Sequence, residues 1–377
     1  MKRGTFQLMK SVNKSIILNK IRTGEPISRA QIAKETTLTP PTVSSIVKEL
    51  IEEGIVRESE LGESKGGRKP TMLLINHSAF FVVGVDAGPN KIGCVLADLS
   101  GKIYERTSIP LQEITSNEQF LSILVESIRT ILKRVDQKGN VIGIGVAMHG
   151  VVDVETGTSL VAPNLQLRDI PIKETLENEF QMVIKVENDA RAMALGESWF
   201  GNHGSLNSML AVNLGSGVGA GVVINGKLYH GAQDIAGEVG HMTIDMHGEV
   251  CECGNRGCLQ TFATGSAIAE QAGVDSGEEV FRLANEGNEK YATILKETGA
   301  VIGVGLTNLI HIINPQVIVL GGGVAKSQKY ILPSIQQTIE ERGLTKAAKE
   351  TKVVISNLGD DATLLGAVAL LLVELFE

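Results

Sequence analysis

The chain has 377 residues, 43% of them apolar, with four cysteines and a formal net charge of −8. That length exceeds what one hydrophobic core supports, so two or three domains are expected. No run of about 18 uncharged apolar residues occurs, and the opening Met1-Lys2-Arg3-Gly4-Thr5 lacks the apolar stretch of an export signal, so the sequence argues against a membrane partner and for a cytoplasmic location.

The charge is unevenly distributed. Residues 1–77 hold 13 Lys+Arg against 8 Asp+Glu, a net of +5, while the remaining 300 hold 22 against 35, a net of −13. A small basic head on a large acidic body suits a nucleic-acid-binding head whose body is repelled by phosphate.

Three amphipathic helices are predicted in the head, from the three- and four-residue spacing of apolar side chains over Lys10 to Arg22, Ser28 to Glu35 and Pro40 to Glu53. Ser28 is a suitable N-cap for the second, and Thr39 before Pro40 and Pro41 for the third. The short connection Thr36-Thr37-Leu38 makes the pair a helix-turn-helix, whose second helix presents its N-terminal residues to bases in the major groove. A strand from Gly54, a glycine-rich basic tip from Gly62 to Pro70 and a returning strand Thr71–Ile75 read as a wing. The DNA-binding candidates are Arg29, Thr39, Thr42, Ser44, Ser45 and Lys48, with Lys65, Arg68 and Lys69 at the wing tip for phosphates or a narrow minor groove. The competing reading is a solvated face of a protein-interaction module.

In the body, buried strands are predicted at Phe80–Asp86, Lys91–Asp98, Val141–Met148 and Val183–Val186, and again at Ser208–Asn213, Gly219–Ile224 and Val317–Leu320, with a helix near residues 117–135. Strands mixed with helical crossovers imply α/β layers, and the recurrence implies two similar lobes. Glycine clusters at Gly215-Ser216-Gly217 and Gly321-Gly322-Gly323 end two of these strands. Alone, each is more simply an ordinary turn than a phosphate cradle.

Cys251-Glu252-Cys253-Gly254-Asn255-Arg256-Gly257-Cys258 follows Gly240-His241-Met242 by a few residues, with His247 between. Three thiolates and one imidazole, from His241 or His247, match a closed structural zinc site, which is tetrahedral and leaves no position for water. Cys94, inside an apolar run, is expected in the core.

The segments Ala236-Gly237-Glu238-Val239-Gly240-His241 and Cys251-x-Cys253-Gly254-x-x-Gly257-Cys258-Leu259, supported by Glu187-Asn188-Asp189-Ala190 and Leu320-Gly321-Gly322-Gly323, resemble the ROK family of sugar kinases and sugar-responsive repressors. The resemblance spans essentially the whole chain. It implies an α/β, two-lobed, actin-like (ribonuclease H-like) body, and the winged head is similar to that of the repressor branch, bacterial xylose repressors above all. The implied layout is a winged head over 1–77, a first lobe over 78–190 completed by the helix 361–377, and a second lobe with the zinc loop over 191–360. It also implies His241 as the fourth metal ligand, with Cys251, Cys253 and Cys258, and sugar contacts between the lobes from Asn164, Asn188, Asp189, Glu238 and His241. A homodimer on a palindromic operator follows, induced by a sugar.

Chemistry agrees with the sugar assignment independently, since hydroxyls need paired donors and acceptors and carboxylates accept strongly. An imidazole bound to metal through one nitrogen keeps the other for a hydroxyl. The competing reading is that Asn188 and Asp189 cap a helix from Ala190 to Phe200.

In the family's kinases the position of Asp189 is the general base, but their first loop reads Asp-x-Gly-Gly-Thr, whereas this chain has Asp86-Ala87-Gly88-Pro89-Asn90. Pro89 has no backbone N–H to offer a phosphate, so no catalytic role and no useful phosphorylation are expected. Xylose, a pentose without the hydroxymethyl group that hexokinases phosphorylate, is the favoured sugar, with glucose a competitor. The alternatives are an active sugar kinase with an appended DNA-binding head, and a zinc-sensing regulator.

Overall fold

The computed structural model describes residues 12–61, 70–134, 140–204 and 206–376. By compactness the chain divides into two units, one of Met1–Met148, Glu155–Val186 and Ala367–Glu377, the other of His149–Val154 and Glu187–Gly366.

The head lies in the first unit. Helices α1 (Val12–Gly24), α2 (Arg29–Thr36) and α3 (Pro40–Glu52) bury Ile17, Ile21, Ile32, Val43, Val47 and Leu50 against one another and against Leu73, the positions that apolar spacing selects. Ser28 caps α2, its side chain accepting from Gln31 N, and Thr37 ends it in the left-handed conformation. That turn re-aims the chain into Thr39, which caps α3 by accepting from Thr42 N. Strand β1 (Ile27–Ser28) joins β2 (Val56–Leu61) and β3 (Thr71–Ile75) in a three-stranded sheet of order β1-β3-β2. The sequence suggests only a two-stranded wing because two residues are too short to show a period. The expected wing-tip contacts Lys65, Arg68 and Lys69 lie outside the described residues.

The rest of the first unit is built on β4 (Phe81–Ala87), β5 (Lys91–Asp98), β6 (Ile103–Pro110) and β7 (Val141–Met148), with β11 (Val183–Asn188) leaving its far edge, in the order β11-β7-β4-β5-β6. Helix α4 (Asn117–Lys133), capped by Ser116, packs beside β5 and β6, and α5 (Ile172–Phe180) precedes β11. Between β7 and α5 the chain forms β8 (Val151–Asp153), which belongs to the second unit, and then β9 (Thr158–Ala162) and β10 (Leu167–Ile170), which pair antiparallel.

The second unit repeats the plan. Strands β12 (Ser208–Leu214), β13 (Val218–Ile224), β14 (Lys227–Tyr229), β15 (Val317–Gly321) and β16 (Lys352–Ile355) lie in the order β14-β13-β12-β15-β16. As β4 does, β12 pairs antiparallel with the next strand and parallel with a later one. Helix α6 (Asp189–Phe200) lies on β12 and β13. The helices α7 (Gly265–Ala272), α8 (Gly277–Asn285), α9 (Glu289–Ile313) and α10 (Gln328–Arg342) gather around a core that includes Leu210, Val212, Ile302, Leu306, Ile318 and Leu320. Helix α11 (Ala362–Phe376) begins in the second unit and ends in the first. Cys94 is buried, and burial pushes its thiol up to about 12, so it is an inert core side chain. Among the described residues no helix is long and apolar enough to cross a membrane.

Candidate functional site

The metal-ligating groups converge in the second unit. The ligand atoms of His241, Cys251, Cys253 and Cys258 all lie within 4.8 Å of one another. Cys253 Sγ is 3.8 Å from Cys258 Sγ, and Cys251 Sγ is 3.7 Å from His241 Nδ1. Sulfurs at ~2.3 Å from a tetrahedral ion would be separated by about 3.8 Å, so the spacing fits a metal centre. Without a cation, burial and the neighbouring thiols push Cys258 up to about 12, because three close thiolates repel one another. The second coordination layer is in place: Gln260 Nε2 donates to Cys251 Sγ (3.4 Å) and Asn255 Nδ2 to Cys258 Sγ (3.5 Å). His247 is exposed, its backbone N–H donating to Asp245, and is not among the four.

His241 turns Nδ1 toward the thiols, which leaves Nε2 for another partner. Its short 3-10 turn, Val239–His241, follows Glu238 directly. The approach is fixed by Gly237, at φ +103°, where an added Cβ would stand 1.9 Å from the Ala220 carbonyl oxygen of β13. Only glycine fits so close to that backbone.

Asn188 and Asp189 stand where β11 turns into α6. Asn188 Oδ1 accepts from the backbone N–H of Ala190 (3.0 Å) and Arg191 (3.1 Å), while its Nδ2 donates to the Gly150 carbonyl (2.8 Å) and to Asp189 Oδ1 (3.1 Å). An amide has two donor hydrogens and two acceptor lone pairs, so Asn188 is fully occupied as the N-cap. The capping interpretation therefore holds for Asn188. Asp189 Oδ1 also accepts from Ala190 N (2.9 Å). Burial lifts Asp189 to about 6, against the downward pull of the Ala190 N–H and of Arg191. Glu238 is also raised, by burial first and by the charge of Asp189, with His241 and Arg191 opposing. Two carboxylates that sense each other beside an imidazole form a dense acceptor array. Asn164 belongs to the first unit, exposed in the 3-10 turn Pro163–Leu165.

On the head, Ser44, Ser45 and Lys48 are exposed along α3, and Thr42 is half-buried at its start. Thr39 is spent in part on the cap, its hydroxyl bonded to that of Thr42 at 2.8 Å. Arg29 is held by Glu58 at 2.9 Å, a pair it must exchange to reach a phosphate. In the first unit the turn Gly88–Asn90 joins β4 to β5, and its Asn90 carbonyl accepts from Leu111 N (2.8 Å), one step beyond the Lys91–Pro110 pair of β5 and β6. Sequence reasoning quotes Glu187 only as part of the motif that carries the resemblance, without a role, and does not single out Arg191 or His230. No spacing rule signals a buried ion pair whose third member lies about forty residues away.

The fold and these sites define an α/β body of two like-built sheets that carries a winged helix-turn-helix head. A model described as the ROK family matches residues 82–374, and one described as winged helix-turn-helix DNA-binding matches residues 17–57. The chain belongs to the ROK family. It is 32% identical to the xylose repressor of Caldicellulosiruptor bescii, over 99% of this chain and 98% of that one. It is also 30% identical to the DNA-binding transcriptional dual regulator NagC of Escherichia coli, over 97% and 94%. Among solved structures, a ROK family transcriptional regulator homologous to E. coli MLC superposes with TM-score 0.85 at 28% identity, covering 97% of this chain and 96% of that one. A ROK family glucokinase from Streptomyces griseus, solved with glucose and AMPPNP, gives 0.69 at 26%, covering 77% and 98%.

Proposed function

We propose that this protein is a cytoplasmic, sugar-responsive transcriptional repressor of a carbohydrate operon. A homodimer binds a palindromic operator through its paired heads and releases it when the sugar, xylose by preference, occupies the second unit. The observation that carries the reading is one chain holding both a capped recognition helix with exposed Ser44, Ser45 and Lys48 and a carboxylate–imidazole array beside four metal-ligating groups.

In this reading Asp189 and Glu238 accept from sugar hydroxyls, His241 Nε2 makes a further polar contact, and Asn188 orients Asp189 rather than touching the ligand. Zinc, held by His241, Cys251, Cys253 and Cys258, supplies rigidity and no reaction chemistry, since a closed four-ligand site has no open position. On the DNA side, α3 lies in the major groove with Ser44, Ser45 and Lys48 toward bases and phosphates, while Arg29, Thr39 and Thr42 secure its start. Lys65, Arg68 and Lys69 serve as wing-tip phosphate contacts.

Sugar acts only through a difference in affinity between DNA-competent and DNA-incompetent states, so operator DNA weakens sugar binding by the factor with which sugar weakens operator binding. Half-sites about 34–36 Å apart make simultaneous contact sensitive to small shifts of the heads. Calorimetric titration of D-xylose with and without operator tests the coupling: a weaker affinity with DNA is expected, and equal affinities reject it. Pro89 supports a body that no longer turns over ATP, and ATP-dependent phosphorylation of xylose or glucose by the purified protein would overturn that part.

A further inference from the structure

Beneath the array lies a buried polar cluster that neither metal nor capping explains. Glu187, at the end of β11, is 1% exposed. Its Oε1 accepts from Arg191 Nε (2.7 Å) and from the backbone N–H of Asn188 (2.7 Å), and its Oε2 pairs with His230 Nε2 (2.7 Å). Arg191, also 1% exposed, donates from Nη1 to the Asp234 carbonyl (2.6 Å). Its Nη2 is buried with no acceptor among the described residues.

Buried ion pairs of this kind are poor stabilisers, because desolvation offsets their attraction and an apolar pair of like volume serves as well. What such a pair supplies is geometry. Here it ties three segments: the end of β11, the first turn of α6 and the loop 230–238. The loop is closed on itself by Ala236 N donating to the His230 carbonyl (3.0 Å) and anchored to β13 by Ala220 N donating to the Gly237 carbonyl (2.8 Å). Asp189 stands two residues beyond Glu187, and Glu238 four beyond Asp234. The two ends of the cluster therefore lead directly into the two carboxylates of the array. Although burial pushes Glu187 up, the His230 bond and the Arg191 charge outweigh it and hold the carboxyl below its usual range.

We propose that Glu187, clamped between Arg191 and His230, is a positioning residue that sets the spacing of Asp189 and Glu238 for sugar. The positioning rests on the sugar-binding reading for its purpose, but not for its geometry. The clamp acts on the loop whether or not ligand is present, which separates the two in experiment.

Full-length protein carrying His230→Leu, which removes the half-exposed arm of the clamp, is compared with His230→Gln, whose amide can still donate to Glu187. Amide exchange in sugar-free protein is expected to rise about tenfold over residues 230–238 in His230→Leu, with the strands β12 and β15 unchanged. D-xylose affinity by calorimetry is expected to fall about tenfold in the same variant, which is ~1.4 kcal/mol, and His230→Gln should restore both. Unchanged exchange over 230–238, a rise spread equally over β12 and β15, or a glutamine variant no better than leucine overturns the proposal. A wild-type protein that takes up no D-xylose overturns the xylose reading instead, and the exchange comparison then decides the clamp alone.

Discussion

The two five-stranded sheets follow one plan yet carry different chemistry. In each, a strand pairs antiparallel with its successor and parallel with a later strand, so the hairpin turns Gly88–Asn90 and Gly215–Gly217 occupy matching places. Both turns leave room for a Cβ, the nearest atom being 3.5 Å away at Gly88 and 3.6 Å at Gly215, and both are held by backbone bonds, Leu111 N donating to the Asn90 carbonyl in the first and Gly265 N to the Gly215 carbonyl in the second. What distinguishes the first is Pro89, which has no N–H. Among the described residues only the second unit carries the four metal-ligating groups, on the loop after its hairpin, with Asp189 before that hairpin and Glu238 after it. The two sheets thus share a strand plan while their loops differ in chemistry, because each sheet depends on its apolar faces and not on its turns.

The sharpest way to break this contrast is to remove the metal. Cys258→Ser is expected to abolish stoichiometric zinc and all sugar response while the head still binds operator; metal content and operator binding measured together check it. Structural zinc contributes roughly 10 kcal/mol or more to peptide-sized sites, so this is the largest effect. Next, Asp189→Ala or Glu238→Ala should leave operator binding intact and cost about 2–3 kcal/mol of sugar affinity, the scale of a lost charged hydrogen bond. Normal sugar-dependent release in both variants would place the pocket elsewhere.

Asp189 also links pH to stability with a definite sign. Its folded value of about 6 lies above the ordinary aspartate value of 3.8, so the folded state holds that proton more tightly than the unfolded one. The stabilisation is fully present below about 4 and is lost as pH rises through about 6, a swing of ~3 kcal/mol. Asp189→Asn should therefore raise the melting temperature at pH 8 but not at pH 4, and equal shifts at both would refute the burial of its charge. The same titration predicts weaker sugar binding below pH 6, where the carboxyl no longer accepts with both oxygens.

The smallest effect belongs to the head. Lys48→Ala, at an exposed site held only by a 3.8 Å pair with Glu52, should lower the salt slope of operator binding by about 0.9, the contribution of one phosphate contact. An unchanged slope would mean that Lys48 faces bases or solvent alone.

Much of this molecule was legible from its residues. Apolar spacing located α1 to α3, cap chemistry at Ser28 and Thr39 set their starts, and β-rich runs located the principal strands, because these signals act within a few residues of one another. The fourfold His–Cys grouping was visible for the same reason, its four members spanning only 18 positions. Strands such as β1, β14 and β16 were not visible, being too short to show a period, and β1 and β16 are held by neighbours remote in the chain. Nor could sequence decide between His241 and His247 on spacing alone, or reveal that Asn188 has no hydrogen-bonding capacity to spare.

What the chain determined by itself was the set of elements and the chemical types available, since helix periods, caps and ligand spacings are local. What only the folded structure decided was which groups meet: that Asp189 and Glu238 sense each other's charge, and that Glu187 joins Arg191 to His230 across about forty residues. Such meetings depend on packing α6 against β13, where summed apolar contacts fix distances that no short stretch of sequence encodes.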